Sequence, residues 1–432
     1  MCISGKLKIL ITVSFYLGLL CDFKSNMGLL SGNVPTRIWD ETSRTIMRFW
    51  ISIFLTAASL VSSFDIHPGF AEDTIDRVRH NLIQSAEKSW ELGAAAEALT
   101  ELYWPTLSVF HKKAFPPRLS AKVNATDVLS IANATISAKP ADSMSLIPNQ
   151  GSAGDPASIG VAVLLANWTQ GNRLNDRYSK AAADQLKYLL NNVPKSESGA
   201  ISHRTDETQL WADFVYMAPP FIAYYGALQG NADGRALMQI AYDQCKLYRD
   251  ALRDESGLWK HVVLGTWQDN EHWATGNAWA AAGMLRVHQT LNHSSQAHHF
   301  ATQQSDLIQW IDEILKASWS HQTEDGGLRN VIDDPKSYLD TSSTTLMTSV
   351  TYRMAAIRDT AEFIPAANRA LGLIQRKIDT QGWLQDATNP YTFDQPLSNG
   401  ERSPEGQAFI LLLHAAWKGL AETKKHSHVP PV

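Results

Sequence analysis

Residues 205–226, TDETQLWADFVYMAPPFIAYYG, read as one amphipathic helix with an acid on its apolar side. At 100° per residue, Leu210, Asp213, Met217, Phe221 and Tyr224 share one stripe. A carboxylate turned toward a protein interior costs several kcal/mol unless it neutralises or finds a partner, so Asp213 asks for an explanation. Pro219 and Pro220 follow within two turns. Each removes a backbone donor and kinks the helix, which opens room beside the acid.

The same theme runs outward from this stretch. From about Ile66 onward, apolar stripes of helical period alternate with polar turns. Helices are expected over 74–100, 156–168, 175–191, 207–227, 233–252, 277–291, 298–317, 343–358, 360–379 and 404–422. Asp155-Pro156 and Ser403-Pro404 each place a capping side chain before a proline at the first helical position. Period-two alternation is scarce; SYLDTSSTT (337–345) is the best strand candidate. No long Gly/Ser linker divides the chain. The expectation is an all-α single domain over 64–432, a closed (α/α)6 toroid of helical hairpins, although the periodicity fits an open solenoid as well.

Composition sets wide bounds. The chain has 432 residues, 44% hydrophobic and 19% charged, with net charge -5, which gives no reason to expect nucleic acid or an anionic membrane as partner. Its 14 tryptophans fill cores well, and Trp also offers the flat face on which a sugar stacks. Residues 1–63 read as a leader. KLKILITVSFYLGLLC (6–21) and MRFWISIFLTAASLVSS (47–63) both resemble secretory signals. We expect translation to begin at Met47, cleavage after Ser63, and a secreted, extracellular product. Asn124, Asn133, Asn167 and Asn292 each open an N-x-[ST] sequon. Loss of the leader removes Cys2 and Cys21 and leaves Cys245 without an intrachain partner.

Phosphate-loop, dinucleotide, nucleophile-elbow and HExxH motifs are absent. His298-His299 and His426/His428 lie in polar or terminal context, so no metal and no cofactor are expected. Carboxylates remain. Asp213 is either a reactive acid or a buried acid that caps a loop or pairs with an arginine. Asp155 is at least the N-cap of the 156–168 helix. His261, in GLWKHVV, is a third candidate or simply a loop histidine. The aromatic-rich loop DESGLWKHVVLGTWQDNEHWATGNAW (254–279) carries more Trp and His than a connection needs and reads as the rim of a site.

QLWADFVYMAPPFIAYYG, GLWKHVV and HWATGNAWAAAGML, in that order, resemble signatures of the unsaturated rhamnogalacturonyl hydrolases, family 105 of glycoside hydrolases, in the six-hairpin glycosidase superfamily. The D-x-x-x-x-G at Asp155–Gly160 fits as well, and the likeness covers about residues 75–422. It implies an (α/α)6 barrel acting on an oligosaccharide; we expect a monomer. It also implies Asp213 as general acid/base, Asp155 as its carboxylate partner, His261 as a sugar ligand, and Trp273 and Trp279 as pocket walls. The reaction implied is hydration of the C4=C5 bond that polysaccharide lyases leave on a terminal uronyl residue of pectin-derived chains. One position departs. Where the family has Arg in W-A-R, this chain has Thr275, so Lys260, then Arg204, are the expected cations for the uronate. A neutral-glycan hydrolase and a non-catalytic carbohydrate-binding toroid are the competing readings.

Overall fold

In the computed structural model, the described residues are 65–120, 122–169 and 176–427. The expectations for residues 1–63 and for His428 lie outside them. Helices alternate between an outer and an inner layer. The outer set is α1 (Glu72–Ser85), α3 (Thr126–Ala138), α6 (Arg177–Asn191), α9 (Ala232–Leu252), α11 (Ala301–Trp319) and α13 (Ile364–Arg376). Between them run α2 (Ser89–Tyr103), the broken pair α4 (Asp155–Ser158) and α5 (Gly160–Thr169), and the broken pair α7 (Phe214–Met217) and α8 (Pro219–Gln229). The inner set continues with α10 (Ala274–His293), α12 (Thr341–Arg358) and α14 (Pro404–Ser427). Each inner helix packs on the next, and α14 returns to pack on both α1 and α2. That last contact closes the ring and decides for the toroid against the open solenoid.

The two layers differ because they meet different surroundings. Outer α9 buries Met238, Ala241, Cys245, Tyr248 and Leu252 at helical spacing, and Asn231 Oδ1 caps it by accepting from the Gly234 amide at 2.9 Å. Inner α10 is buried on all faces from Ala274 to Leu291. Neighbours on both sides demand small residues there. A Cβ on Gly283 would lie 2.1 Å from the Val215 carbonyl oxygen, so α10 touches the backbone of α7. In α12 the hydroxyls of Thr344, Thr345, Thr348 and Thr351 donate to the carbonyls four residues earlier, which lets polar side chains fill a buried helix.

Several sequence expectations need correction. The 74–100 segment is two helices. Glu91 Oε2 accepts the amides of Glu87 and Lys88 at 2.9 Å each and starts α2 afresh, so the outer-to-inner turn hides inside a continuous apolar pattern. Helix α3 forms in a stretch rich in Thr, Asn and Ser, where periodicity predicts none. In SYLDTSSTT only Leu339–Asp340 is strand (β4, paired antiparallel with β3, Leu328–Arg329), and α12 starts at Thr341. The opening stretch also divides. Leu210–Trp211 is β1, paired antiparallel with β2 (Val262–Val263), and the helix begins only at Phe214. Leu210 and Asp213 therefore share no helical stripe. Burial covers all of Phe214–Tyr224, so that helix is not amphipathic. The proline break does occur, between α7 and α8 at Ala218.

The barrel axis is filled. Glu97 on α2 and Arg286 on α10, opposite members of the ring, pair at 2.7 Å, with the Arg286 guanidinium 4.7 Å above the Tyr216 ring. Glu101 on α2 pairs with Arg353 on α12 at 2.7 Å, and Phe110 lies against that guanidinium at 4.2 Å. Gly283→Ala should push α10 away from α7 and destabilise the protein by about 1–3 kcal/mol, the usual range for overpacking. A denaturant midpoint unchanged from wild type would contradict the close packing.

Candidate active site

Successive inner helices alternate with outer ones, so the inner ones run in one direction and bring their first turns to one rim. Asp155 opens α4, Asp213 directly precedes α7, Trp273 and Thr275 flank the start of α10, Asp340 caps α12, and Glu405 lies in the first turn of α14. Helix N-termini offer unpaired N–H groups and a positive dipole end, which favour carboxylates there.

Asp213 is held by the strand pairing that displaces the expected helix. The Ala212 amide donates to the His261 carbonyl at 2.9 Å, next to the β1–β2 ladder. This sets Asp213 Oδ2 3.8 Å from His261 Nε2. Neither atom has a hydrogen-bond partner among the described residues, and both are inaccessible to solvent. Burial raises the Asp213 pKa, against the opposing influence of His261. His261 is oriented from behind: its Nδ1–H donates to Asp269 Oδ2 at 2.9 Å, because a carboxylate can only accept. Burial works against the Asp269 charge, but the bonds from His261 and the Glu271 amide prevail and hold its pKa below the usual range.

Asp155 does not cap its helix. Its backbone amide donates to Ser152 Oγ at 3.0 Å, and its carboxyl makes no capping bond. The expected N-cap role thus falls to Ser152, whereas Ser403 does cap α14, accepting the Gly406 amide at 3.0 Å. Burial first, then the negative charge of Asp213, push Asp155 up to about 7, with Ser152 and Arg204 pulling the other way. His203 Nε2 lies 3.6 Å from Asp155 Oδ1. Burial and the positive charges of Arg204 and His261 bring His203 down to about 3. That imidazole is neutral at working pH, so its contact with Asp155 is dipolar and not an ion pair. Burial, then Glu91 and Asp213, likewise raise Glu405 well above the carboxylate range, while its Oε2 accepts from Trp90 Nε1 at 2.9 Å.

Aromatic rings wall this cluster. Trp211 stacks on His203 (5.1 Å between centroids, 24° between planes) and meets His261 edge-on at 5.2 Å. Trp273, Trp267 and Phe393 approach His261 at 4.5, 6.3 and 4.8 Å. Two residues expected at the pocket lie elsewhere. Trp279 is fully buried inside the ring, 4.3 Å from Tyr216 and 4.7 Å from Phe409, because it sits more than a turn into α10. Thr275 is also fully buried and donates to Asp340 Oδ2 at 3.1 Å, so it belongs to the barrel wall and not to a substrate surface. Asp340 takes four further donors: the Ser342 amide and hydroxyl, the Ser343 amide and the Thr388 amide.

The cation ranking reverses. No hydrogen bond or ion pair among the described residues ties the Lys260 side chain to the cluster. Arg204 acts on both Asp155 and His203, and its Nη2 would lie 2.8 Å from a Cβ on Gly151, which adopts φ +70°. Its Nε faces the exposed Asp206 at 3.5 Å, and its terminal fork has no protein hydrogen bond among the described residues. Sequence reasoning does not single out His203, Trp211, Trp267, Asp269, Phe393 or Glu405. Trp211, Trp267 and Asp269 lie within the stretches quoted above, where the density of aromatic and acidic residues was the available signal. Phe393 carries no local signal, because only closure of the ring brings its loop over His261.

A closed six-hairpin toroid thus carries raised-pKa carboxyls and aromatic walls at one mouth, an arrangement suited to acid-assisted chemistry on a sugar. The sequence profile described as Glycosyl Hydrolase Family 88 matches residues 124–390, and the chain belongs to that family. It is similar to the unsaturated rhamnogalacturonyl hydrolase YesR of Bacillus subtilis, 26% identical over 200 residues, which are 43% of this chain and 54% of that protein. The chain thus matches about half the length of this curated relative. A possible GH105 member from Klebsiella pneumoniae shares the fold at TM-score 0.65 and 17% identity, covering 84% of this chain and 96% of that one. The unsaturated glucuronyl hydrolase of Bacillus sp. GL1, responsible for glycosaminoglycan degradation, does so at TM-score 0.54 and 14% identity, covering 82% and 96%.

The Asp155 environment has a measurable consequence. The folded protein keeps this proton up to about pH 7, whereas the unfolded chain releases it near the ordinary carboxyl pKa of about 4. Its contribution to stability therefore falls as pH rises through that window. Asp155→Asn cannot ionise, so it should raise the melting temperature relative to wild type more at about pH 8 than at about pH 5. An equal difference at both pH values would refute the raised pKa.

Proposed function

We propose that the protein hydrates the C4=C5 bond of an unsaturated uronyl residue at the non-reducing end of pectin-derived, rhamnogalacturonan-type oligosaccharides. The observation that carries this reading is the largely buried Asp213, unpartnered at Oδ2 among the described residues and facing His261 Nε2. Protonating carbon requires a positioned acid that still holds its proton near working pH, and burial supplies one. Asp213 gives its proton to C4. Water adds at C5 and returns a proton to the Asp213 carboxylate. The hemiketal so formed opens and expels the rest of the chain as the aglycone. Asp155 stands beside this acid, and the Asp213 charge helps burial keep Asp155 protonated. Attack at C1 plays no part, so the carboxylate-separation rule for retaining and inverting enzymes does not apply.

Two features support action at a chain end. The Glu97–Arg286 pair and Tyr216 fill the axis below the acids, so a glycan reaches them from one side. The Arg204 fork, open to a bidentate partner, suits a terminal carboxylate. Secretion is part of the proposal. Asn124, Asn133 and Asn292 are exposed, and the 47–63 leader has the form of a signal.

Asp213→Asn should lower turnover of lyase-generated oligosaccharides about 10²- to 10⁴-fold with the melting curve preserved. Loss of the enol ether's ultraviolet absorbance follows the reaction, and near wild-type rates in the variant would remove Asp213 from the mechanism. Arg204→Ala should raise KM about tenfold or more with kcat retained, whereas Lys260→Ala should leave both unchanged. The opposite pattern would restore Lys260 as the uronate ligand. N-terminal sequencing of secreted protein should begin near Phe64; peptides from residues 1–46 would disprove a start at Met47.

A further inference from the structure

His261 faces the catalytic acid, yet it is 1% exposed, and neither its Nε2 nor Asp213 Oδ2 can be touched by solvent. The Asp213 side chain is still 15% exposed, but a sugar cannot touch His261 until one of the rings around it moves. Two of these rings are built into the body. Trp211 lies on β1, stacks on His203 and donates to Gln209 Oε1 at 2.7 Å. Trp273 is buried, donates to Asn330 Oδ1 at 3.0 Å and leads into α10. Trp267 is 42% exposed, but its carbonyl accepts from Gln209 Nε2 at 2.5 Å and its ring stands farther from His261, at 6.3 Å against 4.8 Å for Phe393.

Phe393 is held differently. It lies on a largely exposed segment, in the left-handed region at φ +48°, a conformation that costs a bulky residue energy. The feet of this segment are fixed: the Thr388 amide donates to Asp340 Oδ1 at 3.0 Å, and the Leu397 amide to the Ala387 carbonyl at 3.0 Å. Between them the Asn389 amide reaches the Gln395 carbonyl and the Phe393 amide reaches the Asn389 carbonyl, each at 2.8 Å, so the segment is tied mainly to itself. Its side-chain hydrogen bonds to the barrel among the described residues are Asn330 Nδ2 to the Phe393 carbonyl at 2.9 Å and Tyr391 OH to Glu91 Oε1 at 3.3 Å. Tyr391 is 56% exposed. The segment therefore crosses the mouth from the α13–α14 connection, with Phe393 on His261 and Tyr391 near Trp90 at 5.8 Å.

We propose that residues 389–397 form a hinged strap whose Phe393 covers His261 in the free protein and swings away to admit a sugar ring. The strap and the substrate compete for one space, so the apparent affinity is reduced by the fraction of time the strap is closed. The nature of the sugar rests on the function proposed above; the covering of His261 does not.

The test is carbethoxylation of the full-length mature protein by diethyl pyrocarbonate, read residue by residue by peptide mass spectrometry. The exposed His298 serves as the internal reference and the buried His203 as a monitor of folding. In wild type His261 should react at least about tenfold more slowly than His298. Phe393→Ala should accelerate His261 about fivefold or more with His203 still protected, and Phe393→Tyr should restore the slow rate. His261 reacting as fast as His298 in wild type, or unchanged by Phe393→Ala, overturns the proposal. If His203 is also exposed in Phe393→Ala, wild-type hydrogen exchange decides. Amides of 389–397 opening faster than those of 210–218 support the strap, and equal protection overturns it. With an unsaturated uronyl disaccharide, Phe393→Ala should lower KM about threefold or more while kcat stays within about twofold. A raised KM with unchanged His261 reactivity makes Phe393 a fixed wall and overturns the strap. A wild type inactive on that sugar refutes the functional reading and leaves the chemical-modification result to judge the strap.

Discussion

The site depends on one constraint: the inner helices of a hairpin ring all start at the same rim. In such a ring, residues far apart in sequence become neighbours because each lies at the start of an inner helix. Asp155, Asp213, Asp340 and Glu405 come from four different members of the inner layer in this way. Helix N-termini make such crowding tolerable, since their unpaired amides and positive dipole ends favour negative charge. Asp340 uses this fully, with five donors on its two oxygens. Asp155 and Asp213 do not, and burial, with charge repulsion added at Asp155, instead favours their protonated forms. The same architecture thus supplies one carboxylate that anchors loops and others able to hold a proton.

The mouth is assembled from connections that pair across hairpins. The β1–β2 ladder is only two residues long in each strand, but it joins the chain before α7 to the long connection before α10. It thereby places Asp213 against His261, and Asp269 fixes the imidazole from the other side. Arg204 and the neutral His203 stand on the turn just before β1. Below them the Glu97–Arg286 and Glu101–Arg353 pairs occupy the axis. Buried ion pairs of this kind contribute little net stability, because desolvation offsets much of their attraction. Their evident effect is geometric: they close the barrel beneath the acids.

Local sequence determined the class of the fold and marked out the candidate acid. Helical periodicity, proline-led helix starts and scarce alternation pointed to an all-α chain of hairpins, because those signals depend on interactions within a turn or two. The ordered motifs around Asp155, Asp213 and His261 were legible for the same reason, as was the density of Trp and His over 254–279. Where local pattern misled, tertiary surroundings had intervened. Leu210–Trp211 forms a strand because Val262–Val263 is there to pair with it. SYLDTSSTT mostly continues as a helix because buried threonines bond back to carbonyls one turn earlier. Only tertiary structure decided that Ser152, and not Asp155, accepts the helix amide, that Thr275 and Trp279 face the barrel wall, and that the Arg204 charge acts on Asp155. It alone brought Phe393 over His261, because that contact joins two separate connections and exists only once the ring has closed.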